Sequence, residues 1–148
     1  MLTGGCTCGS VRYQCGPAVL SYKCHCLDCQ RASGSAFVAL FWSLSDQFSF
    51  HSGEPHYHHI TLDSGRKISR GFCRMCGSPV VAKLSSLPHI IGVIAASLDD
   101  PSQYTPQYET WTSRAQSWDL LDPSLESLSE NFTLEILHRH LASRGPYA

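Results

Sequence analysis

At 148 residues and 43% hydrophobic content, the chain is long enough to bury one sizeable core and too short for two. Its 11 basic residues nearly balance 12 acidic ones, the formal net charge is −1, and no basic run occurs. Nucleic acid and anionic membrane surfaces, which select clustered positive charge, are therefore excluded as expected partners. No stretch approaches the roughly 20 apolar residues of a membrane span, and Met1 to Gly5 lacks the charged-then-apolar pattern of an export signal, so a single cytoplasmic domain over residues 1–148 is expected.

The hydrophobic pattern has period two almost throughout. Val11, Tyr13 and Cys15 alternate with Arg12 and Gln14, which predicts a strand. Val19 to Lys23 follows as a second, and the aromatic-rich run from Ala36 to Trp42 as a third. Further strands are predicted at Gln47 to Phe50, His56 to Leu62, Lys67 to Phe72, Pro79 to Lys83, His89 to Ala95 and Gln107 to Trp111. They are separated by turn signals at Ser52-Gly53, Ser64-Gly65 and Asp99-Asp100-Pro101. In the fifth of these strands His56 and His58 share one face and His59 the other, as polar residues on a solvated strand. Only the C-terminal end has helical spacing, with Phe132, Ile136, Leu137 and Leu141 in phase and Gly145-Pro146 as a stop. The sum is a mainly β domain with a C-terminal helix or tail.

Seven of the eight cysteines fall into three tight clusters: Cys6 and Cys8; Cys24, Cys26 and Cys29; Cys73 and Cys76. Cysteines one or two residues apart can offer two thiolates to one zinc ion, which takes four soft ligands at tetrahedral corners. Disulfides are the competing use of so many cysteines, but they need an oxidising compartment. In the expected cytoplasmic setting the clusters read as metal ligands, and the Asn131 sequon has no glycosylation meaning. Spacing alone leaves the partition open. Cys26 and Cys29 with Cys73 and Cys76 would make a plausible ribbon site, leaving Cys6, Cys8 and Cys24 as a second set. Cys15 fits neither arrangement and reads as a small buried hydrophobe.

Three motifs occur in order: Gly4-Gly5-Cys6-Thr7-Cys8-Gly9-Ser10-Val11-Arg12-Tyr13, then Cys24-His25-Cys26-Leu27-Asp28-Cys29-Gln30-Arg31-Ala32-Ser33-Gly34-Ser35, then Phe72-Cys73-Arg74-Met75-Cys76-Gly77-Ser78. Together they closely resemble the glutathione-dependent formaldehyde-activating enzyme family, whose domain also occurs in centromere protein V. The similarity continues through Ser97 to Pro101 and on to Trp111 and the Arg114 to Trp118 region. It covers about residues 3–120, with 121–148 as a C-terminal extension.

The resemblance implies a mainly β, Mss4-like (β-tent) fold and two zinc ions. Carried over residue by residue, Cys6, Cys8, Cys73 and Cys76 are the structural ligands, and Cys24, Cys26 and Cys29 hold the catalytic zinc. Physics favours the same division, because a closed four-thiolate site staples distant segments whereas three ligands on one short loop leave a coordination position accessible. The implied activity is that of a carbon–sulfur lyase, in which a small thiol such as glutathione adds to formaldehyde or a related small aldehyde. Lys23, Arg31 and Arg74, beside the metal motifs, are candidates for contacting an anionic thiol. His25 is either a hydrogen-bond donor behind the ligands or an exposed residue between them, and Ser33, Gly34 and Ser35 are expected to form the turn after the loop. The alternative function is a non-catalytic zinc scaffold that binds a protein partner, which an exposed apolar surface around Phe37 to Trp42 together with a blocked fourth ligand position would favour.

Overall fold

The computed structural model of the chain describes residues 1–62 and 65–143. In chain order the described residues form β1 (Leu2–Gly5), β2 (Arg12–Cys15), β3 (Leu20–Cys24), α1 (Leu27–Ser33), β4 (Val38–Leu44), β5 (Ser49–Ser52) and β6 (His56–Thr61). There follow β7 (Lys67–Phe72), β8 (Pro79–Leu84), β9 (Ile90–Ile94), β10 (Tyr108–Thr110), β11 (Glu126–Ser127) and α2 (Leu134–Ala142). The chain is mainly β, as its period-two pattern requires. It gathers into two compact units, one from Met1–Ala18 and Trp42–Gln103, the other from Val19–Phe41 and Tyr104–Ala148.

In the first unit β1, β2 and β5 form a three-stranded antiparallel sheet, with Leu2 opposite Cys15 and Gly5 opposite Arg12. Alternation along β2 buries Tyr13 and Cys15 and leaves Arg12 and Gln14 partly exposed. The Tyr13 hydroxyl, taken out of water, pairs with Ser97 Oγ at 2.8 Å. Cys15 is fully enclosed, and burial pushes its thiol up to about 11, so it behaves as the expected small hydrophobe. Strands β6 to β9 run as an antiparallel meander. Its inner strands read as unbroken apolar runs because both faces are covered: Val80, Val81 and Ala82 in β8, and Ile90, Ile91 and Val93 in β9, are all buried. The outer strand β6 exposes His56, His58 and His59, the solvated strand expected of them. The Asp99-Asp100-Pro101 signal is a capped turn, where Asp100 Oδ1 accepts from the Ser102 amide at 3.1 Å.

In the second unit β10 lies parallel to both β3 and β11, placing Glu109 opposite Lys23 and Thr110 opposite Cys24. Helix α2 begins at Thr133, whose hydroxyl accepts from the Ile136 amide at 3.3 Å. Phe132 and Leu137, both buried, occupy the two positions of a hydrophobic staple around that cap. The expected stop at Gly145-Pro146 lies outside the described residues. No helix among the described residues is long and apolar enough to cross a membrane.

Three elements depart from the sequence reading. The segment after Cys26 was expected to be a loop; it is the helix α1, with Cys26 as N-cap, while the turn expected at Ser33, Gly34 and Ser35 is found at its end, where Gly34 is left-handed. None of its seven residues is buried, so it carries no apolar stripe for periodicity to detect. Strands β1 and β11 were also missed, being four and two residues long and defined by their partners rather than by their own pattern.

Candidate metal centres

In the first unit the Sγ atoms of Cys6, Cys8, Cys73 and Cys76 lie within 4.8 Å of one another. Two turns of similar design present them. After Cys8, Gly9 takes φ +79° and its amide bonds the Cys6 carbonyl at 3.1 Å; after Cys76, Gly77 takes φ +77° and bonds the Cys73 carbonyl at 2.8 Å. That left-handed conformation is open to glycine at no steric cost. The turns are tied together by Ser78, whose hydroxyl accepts from the Thr7 amide at 3.2 Å and donates to Thr7 Oγ1 at 3.0 Å. Cys6 and Cys73 are buried, while Cys8 and Cys76 face solvent.

The electrostatics of these sulfurs are those of a cation site. Hydrogen bonds from the Ser78 hydroxyl and the Ser78 and Cys8 backbones pull the Cys76 thiol down to about 5. Cys6 sits below its ordinary value despite burial, because the Val11 amide and the Cys73 and Cys8 side chains favour its thiolate. Although the Cys76 amide also favours the Cys73 thiolate, burial and the neighbouring sulfurs of Cys6 and Cys76 push that thiol up to about 11. Four thiols so close cannot all ionise against one another, and a divalent cation among them removes the repulsion. The donor set therefore fits a soft metal ion.

In the second unit the Sγ atoms of Cys24, Cys26 and Cys29 also lie within 4.8 Å of one another, and among the described residues the group includes no fourth Cys, His, Asp or Glu. Cys24 is buried at the end of β3, whereas Cys26 and Cys29 are half-exposed at the start of α1. Cys26 Sγ caps that helix by accepting from the Cys29 amide at 3.3 Å. Cys24 is pushed up to about 11, chiefly by its hydrogen bond to Cys26, and Cys29 is driven well above the usual thiol range by Cys24 and Cys26 together with burial. This donor set, too, fits a soft cation. Among the described residues the sulfurs thus group as four, Cys6, Cys8, Cys73 and Cys76, and three, Cys24, Cys26 and Cys29.

Behind the three sulfurs stands a buried polar network. His25 and Glu109 are both 0% exposed, and His25 Nε2 donates to Glu109 Oε2 at 2.5 Å. Glu109 Oε1 accepts from Lys23 Nζ at 2.9 Å and from the Asp122 amide at 2.7 Å. Burial alone would raise the Glu109 carboxyl, but the bonds from Asp122, Lys23 and His25 hold it below its ordinary value. Gln30, one residue beyond Cys29, donates to the His25 carbonyl at 2.6 Å and the Arg114 carbonyl at 2.9 Å, and accepts from Gln116 at 2.9 Å. The chain reaches Arg114 by turning sharply out of β10 at Trp111, a non-glycine residue at φ +56°.

Of the three cationic candidates, Lys23 is committed to Glu109 and lies 5.3 Å above the Phe37 ring, so it is not a free anion contact. Arg74 bonds His56 Nδ1 at 2.9 Å, and Arg31 is exposed in the last turn of α1. Of the two readings of His25, the buried donor is the one found. Glu109, Gln30 and Asp122 were not singled out in the sequence. A charged residue inside the predicted strand Gln107 to Trp111 was the one signal available for Glu109, because a carboxylate there must find partners.

A family model described as glutathione-dependent formaldehyde-activating enzyme matches residues 1–114. No curated protein matches the sequence significantly. Among solved structures, the chain is similar to a crystal structure of a Rhodobacter sphaeroides protein determined as a structural-genomics target. The TM-score is 0.56 at 21% identity, over 74% of this chain and 100% of that one, a likeness of fold alone.

Proposed function

The chain belongs to the glutathione-dependent formaldehyde-activating enzyme family, and from that premise we propose that it is a zinc-dependent carbon–sulfur lyase of the cytoplasm. It adds a small thiol such as glutathione to formaldehyde or a related small aldehyde. One observation carries this reading: Cys24, Cys26 and Cys29 converge as a three-sulfur set with two members partly open to solvent and no fourth protein ligand among the described residues. A closed set of four, such as Cys6, Cys8, Cys73 and Cys76, has no such position and suits a structural zinc.

Zinc held by the three thiolates would supply a cation that favours the thiolate of an incoming thiol and keeps it nucleophilic near neutral pH. The chain's residues set where that happens. Pairing of β3 with β10 fixes Cys24, the α1 cap fixes Cys26 against Cys29, and Gln30 ties the helix to the backbone at His25 and Arg114. In the overall reaction an S–H bond and a carbonyl π bond are exchanged for an S–C bond and an O–H bond, so no redox partner is needed. In the run named for the scaffold alternative, Leu40, Phe41 and Trp42 are buried and Phe37, Val38 and Ala39 half-buried, so it presents no exposed residue.

The test uses cobalt as a spectroscopic replacement, because its sulfur charge-transfer bands respond to an added thiolate. Glutathione should change the spectrum saturably while S-methylglutathione does not, and adduct exchange with formaldehyde should exceed the spontaneous rate and vanish in Cys26→Ser. An unchanged spectrum across several small thiols, with no rate above background, would reject the lyase and favour the scaffold.

A further inference from the structure

We propose that Glu109 is the positioning residue of the three-cysteine site, holding Cys24 and Cys26 in place through the imidazole between them. The inference rests on the reading of Cys24, Cys26 and Cys29 as metal ligands and adds to it a residue more than 80 positions away in sequence. Three observations converge on this carboxylate. It is fully enclosed, yet three donors from two segments use its two oxygens: Lys23 Nζ and His25 Nε2 around the end of β3, and the Asp122 amide. Two of these donors flank Cys24 directly, and His25 also flanks Cys26. The backbone repeats the same connection, because the His25 amide donates to the carbonyl of Thr110, the residue after Glu109, at 3.0 Å.

The geometry fixes the imidazole in one orientation. A buried carboxylate can only accept, so His25 presents Nε2–H to it, and Nδ1 is left enclosed with no hydrogen-bond partner. A buried ring with one orphan nitrogen is held against a desolvation cost, and the Glu109 bond is what holds it. With His25 pinned at its side chain and at both backbone groups, the carbonyl being taken by Gln30, the neighbouring Cα–Cβ bonds of Cys24 and Cys26 have little freedom to diverge. Three ligands on a six-residue segment would otherwise need the cation itself to gather them. Glu109 instead prepares the set before metal arrives, which raises affinity by reducing the ordering required on binding.

The experiment is competition for zinc between the full-length, doubly loaded chain and a chromophoric chelator, with thermal unfolding followed in parallel. The parent should release one equivalent quickly and one slowly. In Glu109→Gln the amide keeps its size but cannot accept from all three donors, and the fast equivalent should bind about 10–100-fold more weakly, the range seen when groups orienting metal ligands are altered. The slow equivalent should be unchanged. His25→Gln should show the same selective loss, and the double variant should be no worse than either single one, because both remove one contact. Tyr104→Phe is the structural control: it deletes a half-buried hydroxyl that bonds the Tyr22 carbonyl at 2.8 Å in the same unit, and should lower the melting temperature without altering zinc release. If Glu109→Gln holds both equivalents as tightly as the parent, or if Tyr104→Phe, at a similar loss of stability, weakens the fast equivalent as much as Glu109→Gln does, the positioning role is wrong. A parent that never takes a second equivalent overturns the underlying metal reading instead.

Discussion

The two cysteine clusters solve the same problem in opposite ways. In the first unit the candidate ligands themselves are long-range: Cys8 and Cys73, with sulfurs 3.7 Å apart, are separated by 65 positions, so a metal bound there would close a large loop and stabilise the fold directly. In the second unit the ligands are local, all within Cys24–Cys29, and the long-range organisation is delegated to Glu109 and to the Gln30 bonds. A cluster that staples distant strands can give up all four coordination positions to the protein. One that sits on a six-residue segment from the end of β3 into α1 can keep a position free, because a metal there is not needed to hold distant segments together. On the proposed function, sequence separation of the candidate ligands goes with their chemical role.

The largest effect should come from breaking the first cluster. Cys73→Ser removes a ligand that links β7 and β8 to the Cys6 turn, and should cost several kcal/mol and yield poorly soluble protein, as loss of a structural zinc does. Thermal unfolding with and without chelator checks this. Cys26→Ser should sit well below it, giving a folded chain that has lost one metal equivalent and the thiol response. The reverse ranking of the two variants would exchange the roles of the clusters.

A smaller effect sharpens the comparison without removing a ligand. Gly77→Ala forces an L side chain into φ +77° with no atoms near the added Cβ, so the cost is conformational, about 1–2 kcal/mol. Zinc release from the four-cysteine site should quicken while the three-cysteine site keeps its equivalent; equal loss from both would show that the sites are energetically coupled.

The smallest expected effect concerns Asp99, which tests whether the Cys6 turn needs support beyond its metal. The Arg12 guanidinium at 2.5 Å and the Thr3 hydroxyl at 2.7 Å hold its carboxyl below the ordinary value. A depressed folded pKa adds stability above the unfolded value of 3.8 and loses it as the pH falls through the folded one. Because both side chains are more than a third exposed, solvent screening limits Asp99→Asn to at most about 1 kcal/mol near neutral pH, with no difference in strong acid. A larger loss, or one that persists in acid, would mean that the pair is structural in its own right.

The sequence by itself determined the class of fold and the identity of the donors. Alternation of apolar residues has only one folded meaning over short runs, and most predicted strands are observed within two residues of their expected ends, Lys67–Phe72 without shift. Clustered thiols likewise have a limited chemistry whatever the fold. Local pattern could not find α1, because a helix that buries nothing leaves no periodic trace, and it could not divide seven cysteines between two sites, because spacing along the chain says nothing about which turns meet. The resemblance to a known family supplied that division beforehand; spacing left it open. Glu109 was hidden for the same reason: its role is set by Lys23, His25 and Asp122, which register and folding bring to it from 86, 84 and 13 positions away. Tertiary structure decided these features because each depends on partners distant in sequence, whose positions no single segment encodes.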